Sequence, residues 1–265
     1  MKTAIDRLAA ALGSMDRTAV AVSGGVDSLT LATFAHRAGG ECRMFHAVSP
    51  AVPAEATQRV EVLARQEGWR MTLIDVGEFN DARYRANPVD RCLHCKSALY
   101  DAIAAACDGA QIVSGTNRDD LGEYRPGLDA ARKRGVRHPF VEAGIDKAGV
   151  RELARQLALA DIATLPASPC LSSRIETGIA IDAGRLAVVH AVEKFVKALV
   201  QPHTVRCRVR ASGIVVELDE ASLAGLDEEG ADALRAGVRR FTGNDGEVAL
   251  APYRNGSAFL RAGTP

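Results

Sequence analysis

The sequence predicts an α/β protein: a parallel sheet with helices on both faces, followed by a smaller C-terminal α+β unit. Three observations carry this reading. Short apolar stretches alternate with amphipathic segments over most of the chain, the pattern of strands buried on both faces between crossover helices. Several amphipathic segments end at glycine, where a helix can close in a left-handed turn. Beyond about residue 175 the alternation gives way to one long helical segment, two alternating stretches, and a further helix and strand. Domains are therefore expected at 1–175 and 176–265, joined through the Pro-, Ser- and Thr-rich stretch 160–179.

Each element has its own signal. Residues 3–13 carry apolar positions at helical spacing, and "TAVAVS" (18–23) is a short apolar strand. "SLTLATFAHRAG" (28–39) reads as a helix closed by Gly39 and Gly40, and "CRMFHAVS" (42–49) as the next strand. An amphipathic helix over 54–68 precedes a strand over 70–76. A helix over 96–107 and a strand over 110–117 continue the alternation. "DKAGVRELARQLAL" (146–159) is a helix with Asp146 as its N-cap. In the second unit a long helix spans 180–200, and 203–219 alternates as two strands about Ser212-Gly213. A helix over 228–243 and a strand over 247–253 follow, and the tail "RAGTP" is expected to be loose.

Composition narrows the function classes. Thirty-three basic residues balance thirty-three acidic ones, without the basic excess of a general nucleic-acid binder. No apolar run approaches the roughly 20 residues that span a bilayer. Asp6, Arg7 and Asp16 interrupt the N-terminal apolar stretch, which does not read as a signal peptide. A cytoplasmic protein with no membrane partner is expected. In a reducing compartment the six cysteines do not form a disulfide framework, and Cys42, Cys107 and Cys207 read as small core residues.

The sharpest local signal is Ser23-Gly24-Gly25-Val26-Asp27-Ser28, set between the first strand and its helix. A strand that turns into a helix leaves backbone N–H groups without partners at the positive end of the helix dipole, which makes an anion site. The glycines allow close approach, and Ser23 and Ser28 add hydroxyls. No lysine stands before Ser28, so this is not the G-x-x-x-x-G-K-[ST] loop, and it lacks the G-x-G-x-x-G of dinucleotide folds. Asp27 beside phosphates makes sense with a cation between them, and Mg2+ fits that place. The loop resembles that of the PP-loop ATP pyrophosphatases, the adenine nucleotide alpha hydrolase-like proteins. The resemblance implies cleavage of ATP between the α and β phosphates, with adenylation of a substrate oxygen.

Cys92-Leu93-His94-Cys95 stands just before the helical run at 96, and Cys170 lies in a proline-flanked loop followed by Ser172, Ser173 and Arg174. A C-x-x-C alone is consistent with half a zinc site with His94, a redox dithiol, an iron–sulfur site or a structural pair. A helix N-terminus lowers thiol pKa values and favours the thiolate. Three thiolates without a fourth would suit a [4Fe–4S] cluster with one iron open; alternatively Cys170 acts alone as a nucleophile. Gly115-Thr116-Asn117 ends a strand, where open α/β sheets place ligands. Asp119, Asp120, Glu123, Tyr124 and Arg125 follow in one polar loop.

Taken in order, "SGGVDS", "DRCLHCKSAL", "GTNRDDLGEYRPGLDAARKRGVR" and "PASPCLSSRI" over residues 19–178 resemble the LarE family of ATP-dependent sulfur transferases, and "RCRVRASG" (206–213) extends the likeness. The resemblance implies a step in making the nickel-pincer nucleotide cofactor. The carboxylates of pyridinium-3,5-biscarboxylic acid mononucleotide are adenylated with ATP and Mg2+, then converted to thiocarboxylates. It implies ATP and pyrophosphate contacts at Ser23, Gly24, Gly25, Asp27, Ser28, Gly115, Thr116 and Asn117. It implies a [4Fe–4S] cluster on Cys92, Cys95 and Cys170 in three-cysteine members, or a sacrificial cysteine matching Cys170 in single-cysteine members. Ser173 and Arg174 fall in the sulfur-transfer loop, and Glu193 is a further catalytic candidate. Homo-oligomers, as hexamers, and a separate sulfide source are also implied.

Period-2 alternation puts Arg206, Arg208 and Arg210 on one face of a strand. Three guanidiniums there need anions or carboxylates opposite them, and a substrate phosphate would serve; the alternative is a solvated strand face. The rival enzyme class is a tRNA thiolase of the same superfamily, which should carry a basic surface or an RNA module. A nucleotide-binding or zinc-stabilised module without turnover is the rival from outside the enzymes.

Overall fold

The elements follow one another as the alternation predicts, with short helices added between them. The structure, a computed structural model, describes residues 3–122, 126–243 and 247–260. Helix α1 (Ala4–Gly13) is opened by a capping box in which Thr3 and Asp6 bond each other's backbone N–H. Then come β1 (Arg17–Ala21), α2 (Val26–Arg37), β2 (Glu41–Ala47), α3 (Ala54–Glu67), β3 (Met71–Ile74) and α4 (Ala82–Arg85). Next are α5 (Arg91–Ala106), β4 (Gln111–Ser114), α6 (Pro126–Lys133), α7 (Pro139–Ala143), α8 (Lys147–Gln156) and α9 (Ala160–Ala163). The last third holds α10 (Ala183–Val200), β5 (Val205–Arg210), β6 (Gly213–Leu218), α11 (Glu220–Ala224), α12 (Glu228–Thr242) and β7 (Val248–Pro252). The helix expected at 96 begins at Arg91, so Cys92 and Cys95 lie inside it. Asp146 caps α8 as expected, accepting from the N–H of Gly149.

The chain divides into two compact units. One comprises Met1–Glu78 with Asp90–Ser168, the other Phe79–Val89 with Pro169–Pro265. The sequence-based boundary at 175 thus compares with a division at Ser168/Pro169, and a short segment from the first half groups with the second unit.

In the first unit four parallel strands lie in the order β3-β2-β1-β4. The chain winds outward through β1, β2 and β3, then returns so that β4 lies on the other side of β1. The strand order therefore reverses between β1 and β4, and open α/β sheets bind ligands beyond the carboxyl ends of the strands at such a point. Val20, Met44 and Val113 on one face pack with Leu29, Leu31, Val60, Phe140 and Val150 from the helices. Ala19, Phe45 and Ile112 on the other pack with Tyr100, Ile103 and Ala130. Side chains such as Leu29, Met44 and Phe140 are wholly buried, and each contributes roughly 1.5–3 kcal/mol of burial.

The second unit holds the sheet β5-β6-β7. Strands β5 and β6 form the expected antiparallel hairpin, whereas β7 pairs parallel to β6 after the α11–α12 crossover. Leu186, Val189, Val192 and Val196 give α10 its buried stripe. Cys42, Cys107 and Cys207 are buried, as expected of core thiols.

Candidate functional site

The glycine loop lies where the first unit's strand order reverses. Gly24 is held at φ +82, and a Cβ there would stand 2.8 Å from the Ala56 carbonyl oxygen. Only glycine lets the turn pass so close to α3. Helix α3 holds the loop in two further ways. Arg59 Nη1 donates to Gly24 O at 2.6 Å, and buried His46 links Val22 O (2.8 Å) to Thr57 Oγ1 (2.9 Å) through its two ring nitrogens. Burial pushes the His46 pKa below its ordinary value. Helix α2 starts with Gly25 as N-cap and no side chain capping its first turn, which leaves the N–H groups of a helix N-terminus without a side-chain acceptor. The Ser28 hydroxyl is used within the loop, accepting from Ser23 N–H (3.0 Å) and donating to Gly25 O (3.1 Å). Ser23 is exposed and its hydroxyl lies 3.1 Å from that of Ser28.

The loop after β4 closes against it. A Cβ on Gly115 would stand 2.8 Å from the backbone of Asp27 and Ser28, so glycine is needed where the two loops meet. Buried Asn117 donates from Nδ2 to Asp27 Oδ1 at 3.0 Å. Its own loop is pinned, because Asp120 accepts from Asn117 N–H and Asn117 Oδ1 accepts from Asp119 N–H. Thr116 Oγ1 lies 3.1 Å from Ser114 Oγ, which also meets His138 Nδ1 at 2.9 Å. Lys147, at the start of α8, donates to Asp27 Oδ2 at 2.5 Å, while its backbone N–H donates to Asp119. A lysine absent from the loop is thus supplied from 120 residues away, and the motif reading did not contain it. Of the polar loop expected beyond Asn117, Glu123, Tyr124 and Arg125 lie outside the described residues.

Cys92 and Cys95 are one turn apart on α5 in the first unit, both half-buried and neither in a disulfide. Gly127 of α6 packs on this turn, where a Cβ would meet Lys96 Cγ at 3.0 Å and Cys92 O at 3.7 Å. Cys170 opens the second unit's main segment and is exposed. Taken unit by unit, the described residues gather no three His, Cys, Asp or Glu side chains that could hold a metal ion. Within the first unit, Cys92 and Cys95 offer two thiols in the first turn of a helix, a donor type and position that suit an iron–sulfur group. For Mg2+ the first unit offers the half-buried Asp27 carboxylate, which with ligand phosphate oxygens is a usual Mg2+ set.

The second unit gathers the remaining candidates. Arg174, 2% exposed, forms a bidentate pair with Glu193 at 2.8 and 3.0 Å. Its Nη1 also donates to Pro169 O, Cys170 O and the Ser173 hydroxyl. Glu193 Oε1 accepts from Cys207 N–H at 3.0 Å as well, so the pair ties helix α10 and strand β5 to the cysteine loop. Arg208, also buried, donates to Glu217 at 2.9 Å and to Ser173 O at 3.1 Å. Arg210 meets the other Glu217 oxygen at 2.9 Å. Carboxylates therefore face two of the three strand arginines. Arg206 lies over the Tyr253 ring at 5.4 Å; burial and the nearby Arg174 charge lower its pKa. Burial raises the pKa of Cys207, which is no candidate thiolate.

No family model matches the chain. An uncharacterized protein of Synechocystis sp. is 36% identical over 203 residues, 75% of each chain. An uncharacterized protein of Methanocaldococcus jannaschii is 26% identical over 204 residues, 76% of this chain and 77% of its own length. The pyridinium-3,5-bisthiocarboxylic acid mononucleotide synthase of Lactiplantibacillus plantarum is 31% identical over 221 residues, 82% of this chain and 79% of its own. At that identity and coverage the chain belongs to the LarE family, to which the order of its motifs also points.

Proposed function

We propose that the protein makes the thiocarboxylates of pyridinium-3,5-bisthiocarboxylic acid mononucleotide, the product named for its L. plantarum relative, by adenylation followed by sulfur transfer. The observation that carries this is the uncapped glycine loop at the strand-order reversal, with Asp27 joined to Asn117 and Lys147.

In the first step a substrate carboxylate oxygen attacks the α phosphorus of ATP and pyrophosphate leaves. The loop N–H groups and Lys147 would take up the pyrophosphate charge, and Asp27 would hold Mg2+ against its oxygens. Asn117 keeps the Asp27 carboxylate turned for that task. In the second step a sulfur nucleophile attacks the acyl carbon and AMP leaves. A carboxylate cannot undergo this exchange directly, because its oxygen is a poor leaving group. Arg174 and Arg208 hold the backbone of the Cys170 loop through the Pro169, Cys170 and Ser173 carbonyls. We assign the half-buried Arg206 and Arg210 to the mononucleotide phosphate, with Glu217 fixing the guanidinium plane of Arg210. Arg208 is buried with its nitrogens on Glu217, Ser173 O and Arg254 O, and holds the strand that presents them.

Cys92, Cys95 and Cys170 would hold a [4Fe–4S] cluster, which when bound supplies an open iron able to carry sulfide. A second reading has Cys170 donate its own sulfur; it is favoured by Cys170 being the exposed member of the six cysteines. Anaerobic purification with iron and sulfide analysis, then mass spectrometry after one turnover, tests both. Iron that is lost in Cys92→Ala, with intact Cys170 after turnover, supports the cluster. Absence of iron with dehydroalanine at 170 supports the sacrificial route. Failure of the protein to release pyrophosphate from ATP and the biscarboxylate substrate overturns the whole proposal.

A further inference from the structure

The segment "FNDARYRANPV" (79–89) carries no regular apolar period. In the structure it groups with the second unit and forms a hook around the residues that follow Cys170. Phe79 and Tyr84 pack edge to face with ring centres 5.4 Å apart, which fixes the tyrosine ring. The Tyr84 hydroxyl then lies 2.6 Å from the hydroxyl of Ser172, both buried. Two residues after α4, Asn87 is fully buried and held at φ +55, a left-handed conformation that asparagine tolerates better than most side chains.

The Asn87 amide is surrounded by the loop's backbone. Its Nδ2 donates to Glu176 O at 2.8 Å and Ile179 O at 2.9 Å, with Ile175 O at 3.4 Å. Three carbonyl oxygens around one end fix which end carries the hydrogens. The Asn87 carbonyl in turn accepts from Gly178 N–H at 2.9 Å, and the Arg85 carbonyl accepts from Ile181 N–H at 2.8 Å. Buried loop carbonyls without such donors would carry an uncompensated desolvation cost. The hook therefore meets five backbone groups of 175–181 and the Ser172 hydroxyl, while Arg174 and Arg208 bond the carbonyls of Pro169, Cys170 and Ser173.

We propose that Asn87, with Tyr84, is a positioning residue for the Cys170 loop. It touches neither substrate nor sulfur, and sets where the loop presents Cys170. The link to sulfur transfer rests on the function proposed above; the clamp itself does not.

The test compares the wild type with Asn87→Gly, which keeps the left-handed backbone without strain and removes only the amide, and with Asn87→Asp, which keeps the shape but turns a carboxylate toward three carbonyls. Pyrophosphate release from ATP and pyridinium-3,5-biscarboxylic acid mononucleotide should stay near wild type. Thiocarboxylate formation should fall on the order of 100-fold, the scale expected when a reacting group is displaced by about 1 Å. In parallel, hydrogen exchange at Gly178 and alkylation of Cys170 by iodoacetamide should both speed up. A purely structural role predicts instead that both half-reactions fall together with the folded fraction, which overturns the proposal. Unchanged exchange and unchanged alkylation also overturn it. These two readouts decide even if the wild type releases no pyrophosphate, when the functional reading alone fails. Should Asn87→Gly not fold, Tyr84→Phe removes one hydroxyl and keeps the ring: the same split between half-reactions supports the clamp, and unchanged thiocarboxylate formation refutes it.

Discussion

Asp27 and Lys147 share one hydrogen-bonded ion pair that is only partly screened from water. Such a pair adds little stability by itself, so its value lies in what it presents to a ligand. Asp27→Asn should leave the thermal midpoint nearly unchanged and lower pyrophosphate release on the order of 100-fold, measured by a coupled phosphate assay. The Arg174–Glu193 pair behaves differently, because its side chains are 3% and 11% exposed. Glu193→Ala would strand a buried guanidinium and should cost about 3–5 kcal/mol in urea unfolding. A small loss with normal sulfur transfer would show that Arg174 finds another partner. Asp27 and Asn117 were each legible from their motifs, but Lys147 was not. Its contact spans 120 residues, and nothing near position 147 beyond the Asp146 cap distinguishes it from a solvated helix lysine.

At the scale of elements, the meeting of the β1 and β4 loops depends on glycine. Gly115→Ala places a methyl against the backbone of Asp27 and Ser28, where neither side can yield as a flexible side chain does. The expected cost is roughly 1–3 kcal/mol, read by thermal denaturation, with weaker ATP binding by calorimetry. Helix α3 supplies the other support through His46. Burial holds the pKa of His46 below 6.5, so as pH falls the unfolded chain takes up a proton first. The stability contributed by the neutral ring is complete above that value and declines as pH drops toward the lower folded value. His138 is lowered by burial in the same direction. The thermal midpoint should therefore fall on acidification below pH 6.5, and His46→Gln should flatten part of that fall.

Elements with a strong period were readable: four sheet strands, the hairpin, and the long helices came from spacing alone. The start of α5 was read late because Arg91–Cys95 mixes charge, thiol and imidazole and shows no apolar stripe. The hook was invisible for a related reason. Its hold on the chain comes from one side-chain amide, one hydroxyl and two backbone carbonyls, which leave no periodic trace. The arginine stripe on β5 was legible as a stripe, but its carboxylate partner Glu217 sits on the neighbouring strand, and pairing register is not written in either strand alone.

For the whole molecule, equal numbers of basic and acidic residues give a prediction that separates this protein from a tRNA thiolase. Filter binding with bulk tRNA at physiological salt should show no retention above a neutral control protein, because phosphate neutralisation by a net cationic surface dominates such binding. Among the described residues no helix is long and apolar enough to cross a membrane.

The chain changes unit three times, after Glu78, Val89 and Ser168. Cutting the polypeptide at the last of these would not yield two self-sufficient pieces. A fragment beginning at Pro169 lacks the amide and hydroxyl that complete its own interior, and these travel with the other fragment. Co-expressed halves should consequently recover each other by inserting residues 79–89 into the waiting partner, whereas the C-terminal piece produced alone should be left with unsatisfied backbone and be degraded.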